Sequence, residues 1–189
     1  MMRRIVVALA LTLAATPLAA QGSGLITPDA PLSPARAKLR DALVAFRDSL
    51  GAIDAAAARL QRDYQQASAA ALESRAHVVE LSCAAAGRTL SAARNAVKAS
   101  DAARASQISS RDALLKQLDK LSPPLGRCQT EFAALSARGK GDEVRDYANR
   151  RIEPTIQAIR AYEPVVQRFV AAMGFSIQVR SRQQPVLAG

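Results

Sequence analysis

The sequence predicts an all-α fold: a long antiparallel coiled-coil hairpin or an elongated three- or four-helix bundle, closed by one intramolecular disulfide. Three observations carry this prediction. Apolar residues recur at alternating spacings of four and three, no proline stands between Pro34 and Pro123, and two cysteines fall at facing positions of opposed seams. Composition agrees with it: of 189 residues only 4% are aromatic and none is Trp. Abundant alanine with few rings suits closely spaced helices around a thin core.

Residues 1–20 read as a secretory signal, with a basic start at Arg3-Arg4, an apolar run from Ile5 to Ala15, and the small-residue zone Pro17-Leu18-Ala19-Ala20. The apolar run is short of the roughly 20 residues that span a bilayer, and no later segment reaches that length. Cleavage after Ala20 therefore leaves a chain that does not span a membrane. Gln21 stands where a lipoprotein would need cysteine. Residues 21–32, with Gly22, Gly24, Pro28 and Pro31, form a flexible leader. The helical domain is expected over 33–174 and a tail over 175–189, where Phe175 to Val179 alternates like a short strand.

Ser33-Pro34 supplies an N-cap and a proline in the first turn, so the first helix starts there. Its seam runs Leu39, Leu43, Phe46, Leu50, Ile53, Ala57, Leu60, Tyr64 and Ala67, and continues through Ala71, Ser74, Val78 and Leu81. Near residue 80 the seam steps by one position to Val79, Cys83, Ala86, Leu90, Ala93 and Val97, a phase shift that alters a supercoil without ending a helix. An unbroken helix from Pro34 to Ala99 would be roughly 100 Å long. The polar stretch Ser100 to Ser110 holds a reversal. A third seam follows, Leu114, Leu118, Leu121, Leu125, Cys128, Phe132 and Leu135, and Pro123-Pro124 is expected to kink or interrupt it. After the break at Gly139-Lys140-Gly141, Asp142-Glu143 begins a last helical stretch carrying Val144, Tyr147, Ile152, Ile156, Ile159, Val166, Phe169 and Met173, with kinks at Pro154 and Pro164.

Facing residues of an antiparallel pair have a constant total of residue numbers. Cys83 and Cys128 total 211, and so do Val97 with Leu114, Ala93 with Leu118, Leu90 with Leu121, Ala86 with Leu125 and Val79 with Phe132. Six layers in register place the reversal near residue 105 and make a Cys83–Cys128 bridge the expected pairing, as an exported chain favours. Two architectures extend this register. A single long hairpin would pair residues 38–69 with 142–173; a fold-back at Gly139 to Gly141 would give a shorter bundle.

The net charge is +10, and +8 without Arg3 and Arg4. Arg88, Arg94, Lys98, Arg104, Arg111, Lys116, Lys120 and Arg127 stand between Leu81 and Thr130 against Asp101, Asp112 and Asp119, a local net of +5. The first seven of these cations are the candidate binding residues, flanking the reversal where they meet an anionic envelope surface or an acidic partner. The competing reading of the same charges is a solvated face whose i, i+4 pairs keep an alanine-rich helix soluble. Nucleic acid is not an expected partner, because no aromatics are interleaved to stack bases.

No catalytic constellation is visible, and an enzyme is not expected. His77, the only histidine, shares a helix face with Glu73 and Glu80, but its order is His-x-x-Glu and a second histidine is missing. It reads as a surface ion pair; neither a metal nor another cofactor is expected. Phosphate-cradling glycine loops and Cys-x-x-Cys motifs are absent from the sequence. With its cleaved signal, basic chain and long helical hairpins the protein resembles periplasmic holdase chaperones of the Skp type, though without strands for that family's small trimerising body. Two functions are carried forward for a periplasmic or secreted chain able to form a homo-oligomer. One is an envelope scaffold or interaction protein docking by its basic hairpin tip; the other is a soluble holdase or adaptor gripping clients between helical arms.

Overall fold

The structure, a computed structural model, describes residues 32–62, 64–138, 141–150 and 152–175. Residues 1–31, where the signal and most of the leader are expected, lie outside them, as do residues 176–189 with the expected strand-like stretch. Among the described residues all regular structure is helical: α1 (Pro34–Gln61), α2 (Ala69–Lys98), α3 (Ala105–Arg138), α4 (Gly141–Arg150) and α5 (Glu153–Ala172). No helix among the described residues is long and apolar enough to cross a membrane. Only residues 151 and 152 separate α4 from α5, which together make the last limb of the chain; α5 packs on α3, whereas α4 packs mainly on α2.

The first helix starts as its sequence dictates, with the Ser33 hydroxyl accepting from the Arg36 N–H at 3.4 Å and Pro34 in the first turn. Leu39, Leu43, Phe46, Leu50, Ile53, Ala57 and Leu60 are all buried. The unbroken 100 Å helix does not form, because α1 ends at Gln61 and the chain reverses through residues 62–68. Arg62 leaves the helical region at φ −71°, ψ 123°, and Ser68 caps α2 by accepting from the Ala71 N–H at 3.3 Å. The carbonyls orphaned at the end of α1 are met from α2: Arg75 Nη1 donates to Arg62 O at 2.7 Å and to Arg59 O at 3.3 Å.

This reversal explains the step in the seam. Helix α2 buries Leu72, Ala76, Val79, Cys83, Ala86, Leu90, Ala93 and Val97, whereas Val78 and Leu81, which continue the α1 phase, are 43% and 54% exposed. A phase change read as altered supercoiling marks a new helix facing a new neighbour. Helix α1 packs on α2, and the Ser49 and Thr89 hydroxyls join them at 2.7 Å. The single hairpin, which needs one helix from Pro34 to Ala99, does not form, because the chain folds back and α1 packs on α2.

Helix α2 also packs on α3, and Cys83 is bonded to Cys128 with 6.0 Å between Cα atoms. All twelve residues of the six layers totalling 211 are buried. Helix α3 continues through Pro123-Pro124 without the expected interruption. The prolines leave the carbonyls of Asp119 and Lys120 without helical donors, and both residues are exposed. Pro124 O in turn accepts from the buried Thr155 hydroxyl at 3.4 Å.

The last limb packs antiparallel on α3. Three contacts joining them, Gln107 with Ala172, Pro124 with Thr155 and Phe132 with Tyr147, each total 279 in residue number. Pro154 sits in the first turn of α5, while Pro164 lies inside it. Phe46 meets Tyr162 edge-on at 5.3 Å and Arg47 pairs with Glu163 at 3.1 Å, bringing α5 back to α1. Leu39, Leu125, Phe169 and the other buried apolar residues make one continuous core.

Candidate functional site

The end carrying the α2–α3 reversal gathers most of the chemistry. Its frame is Gln107, which is only 7% exposed. Gln107 Oε1 accepts from the Ala103 and Arg104 N–H groups at 3.2 and 3.1 Å, a side chain in the first turn reaching back to cap its own helix. Its Nε2 donates to Ala172 O, the last carbonyl of α5, at 3.2 Å. One amide thus fixes the reversal, the start of α3 and the end of α5. Beside it α5 stops in a Schellman turn: Gly174 adopts φ 75°, and Phe175 N–H donates to Val170 O at 3.0 Å. The left-handed φ requires glycine there.

Basic residues surround this frame in two tiers. Lys98 and Arg104 flank the reversal and are exposed, without an ion pair among the described residues. Arg111 is about 9 Å along α3 and pairs with its neighbour Asp112 at 3.2 Å. Further along, Arg88, Lys116 and Lys120 are exposed on the flanks, and Arg94 bridges α2 to α3 by pairing with Asp119 at 2.9 Å. Lys116 and Lys120 lie roughly 17 and 23 Å from the start of α3. The seven sequence-predicted cations are therefore not one tip cluster. Two stand at the end, Arg111 stands just behind, and four line the flanks.

Fold-back adds two cations that the sequence reading missed. The start of α1 reaches this end, where Arg36 lies 3.8 Å from Asp101 and the exposed Lys38 borders the same groove as Ala99 and Ser100. Nothing in linear spacing joins residue 36 to residue 101; the α1–α2 reversal does. Alongside runs a groove of about 420 Å³ between α1 and α2, lined largely by alanines.

His77 lies on exposed α2 surface, where its Nδ1 is 2.9 Å from Glu80 Oε2. Glu80 also accepts from the Ser136 hydroxyl at 3.4 Å. No group of three His, Cys, Asp or Glu side chains that could hold a metal ion occurs among the described residues. Tyr162 is the other unusual titratable group. It is buried, and its hydroxyl has no hydrogen-bond partner among the described residues. Burial first, and the Glu163 carboxylate second, push its ionisation well above the ordinary 10.0, against the opposing pull of Arg47.

Set against family models, curated proteins and solved structures, the chain finds no match. Residue chemistry and geometry alone support a functional reading.

Proposed function

We propose that the chain is an exported, non-enzymatic scaffold or interaction protein of the cell envelope: an elongated four-helix bundle whose basic end docks on an anionic surface. The observation that carries this reading is the set of exposed cations at one end, Lys98, Arg104 and Lys38, with Arg36 beside them and one carboxylate, Asp101, in their midst. Such an end attracts phosphate-bearing surfaces through the field of several cations acting together. A disulfide between buried cysteines suits the oxidising compartment that residues 1–20 would direct the chain into. Docking end-on leaves the long flanks free for a second partner or for another copy of the chain.

Sedimentation with phosphatidylglycerol-rich vesicles tests the reading. The protein is expected to co-sediment, to be released as salt rises, and to ignore phosphatidylcholine vesicles. The Lys98→Glu, Arg104→Glu double variant is expected to bind about thirtyfold more weakly, from two lost attractions of about 1 kcal/mol each. Equal binding by the variant, or no binding by the native protein, contradicts the proposal. Unchanged association combined with suppression of client aggregation favours the holdase function instead.

A further inference from the structure

We infer that the groove between α1 and α2 at the basic end takes one acyl chain of an anionic amphiphile, with the headgroup held by Arg36 and Lys38. This deepens the docking proposal and rests on it only for the source of the lipid.

The groove has a simple origin. Leu39 of α1 and Val97 of α2 are both buried in the core layer of the two helices. Outside that layer the facing residues are Ala35, Ala42, Ala92, Ala96 and Ala99, whose single methyl groups are too short to fill the space between the helix backbones. About 420 Å³ is left, within the range of sites for small ligands, and its walls are mainly apolar. Leu39 closes the bottom.

The rim differs sharply from the floor. Arg36, Lys38, Asn95, Ser100 and Asp101 border the groove. Asp101 is engaged by Arg36 at 3.8 Å, and nearby Asp41 is engaged by Arg40 at 2.9 Å. Lys38 makes no ion pair among the described residues, and neither do Lys98 and Arg104 on the adjoining stretch. An apolar slot opening onto a cationic rim complements one chemistry: an alkyl chain ending in phosphate or carboxylate. A neutral chain wastes the rim, and a free anion wastes the slot.

Dodecyl phosphate, kept below its micelle concentration, is the probe. Titration followed by amide chemical shifts is expected to show saturable one-to-one binding, with shifts centred on Ala42, Ala96 and Ala99. Each methylene added from octyl to dodecyl phosphate should tighten binding by up to about fourfold. Inorganic phosphate and dodecyl maltoside should each bind at least tenfold more weakly. The Ala42→Leu, Ala96→Leu variant fills the slot and should lose binding at least tenfold while keeping its melting temperature and its sedimentation with anionic vesicles. Lys38→Glu alters only the rim and should weaken the probe without altering the fold. Undiminished binding by the filled variant overturns the inference and leaves docking intact. Equal affinity for dodecyl maltoside overturns it too, as does a dimer that the filled variant dissociates, because the occupant is then a second copy. Loss of vesicle binding by the Lys98, Arg104 variant with dodecyl phosphate still bound would separate the groove from the surface reading.

Discussion

At the scale of single residues, Gln107 and Tyr162 show how a polar atom's surroundings decide its effect. Gln107 satisfies three backbone groups from a buried position, so its removal leaves donors and an acceptor unpaired. Gln107→Ala is expected to cost about 2 kcal/mol in denaturant unfolding and to speed amide exchange at Ala103 and Arg104. Tyr162 is the reverse case, a buried hydroxyl that gains nothing from its neighbours. Its native ionisation lies above the ordinary 10.0, so the unfolded chain releases this proton first. The contribution is therefore complete below pH 10 and is lost as pH rises beyond it. Stability measured from pH 8 to 11 should fall more steeply for the native protein than for Tyr162→Phe, since the difference removes the titration of other groups. Neither role was legible beforehand. Gln107 sits in a polar patch that reads only as a turn, and its partner Ala172 is 65 residues away.

Among the elements, the seams were legible and one reversal was not. Every seam position from Leu39 to Leu60 and from Leu114 to Leu135 is buried, because a helix fixes which residues share a face. Residues 62–68 contain neither glycine nor proline, and Tyr64 and Ala67 preserve the heptad, so nothing local announces the break. The step to Val79 and Cys83 held the information, in a form that also fits a continuous helix. Arg75 makes the reversal specific by serving two carbonyls at the end of α1. Arg75→Ala should cost about 1 kcal/mol and raise exchange in the last turn of α1, measured by hydrogen exchange. The Cys83–Cys128 bridge acts between α2 and α3. Closing a loop across 45 residues of separation contributes about 4 kcal/mol in the chain-entropy account, so reductant should lower the melting temperature markedly.

Over the whole molecule, fold-back sets both size and site. The longest helix, α3, has 34 residues and measures roughly 50 Å, half the length of the unbroken helix that the heptads allow. Scattering from residues 32–175 should give a maximum dimension much nearer the smaller figure. The same fold-back brings Arg36 and Lys38 to the α2–α3 reversal, completing a basic end whose other half, Lys98 and Arg104, was readable from charge spacing alone. The two ends of α2 are roughly 45 Å apart, so a surface that binds one leaves the other in water. Hydrogen exchange of the protein on phosphatidylglycerol-rich vesicles tests end-on docking most directly. Protection is expected at residues 99–104, with residues 64–68 unchanged; protection at residues 64–68, or at neither end, would contradict it.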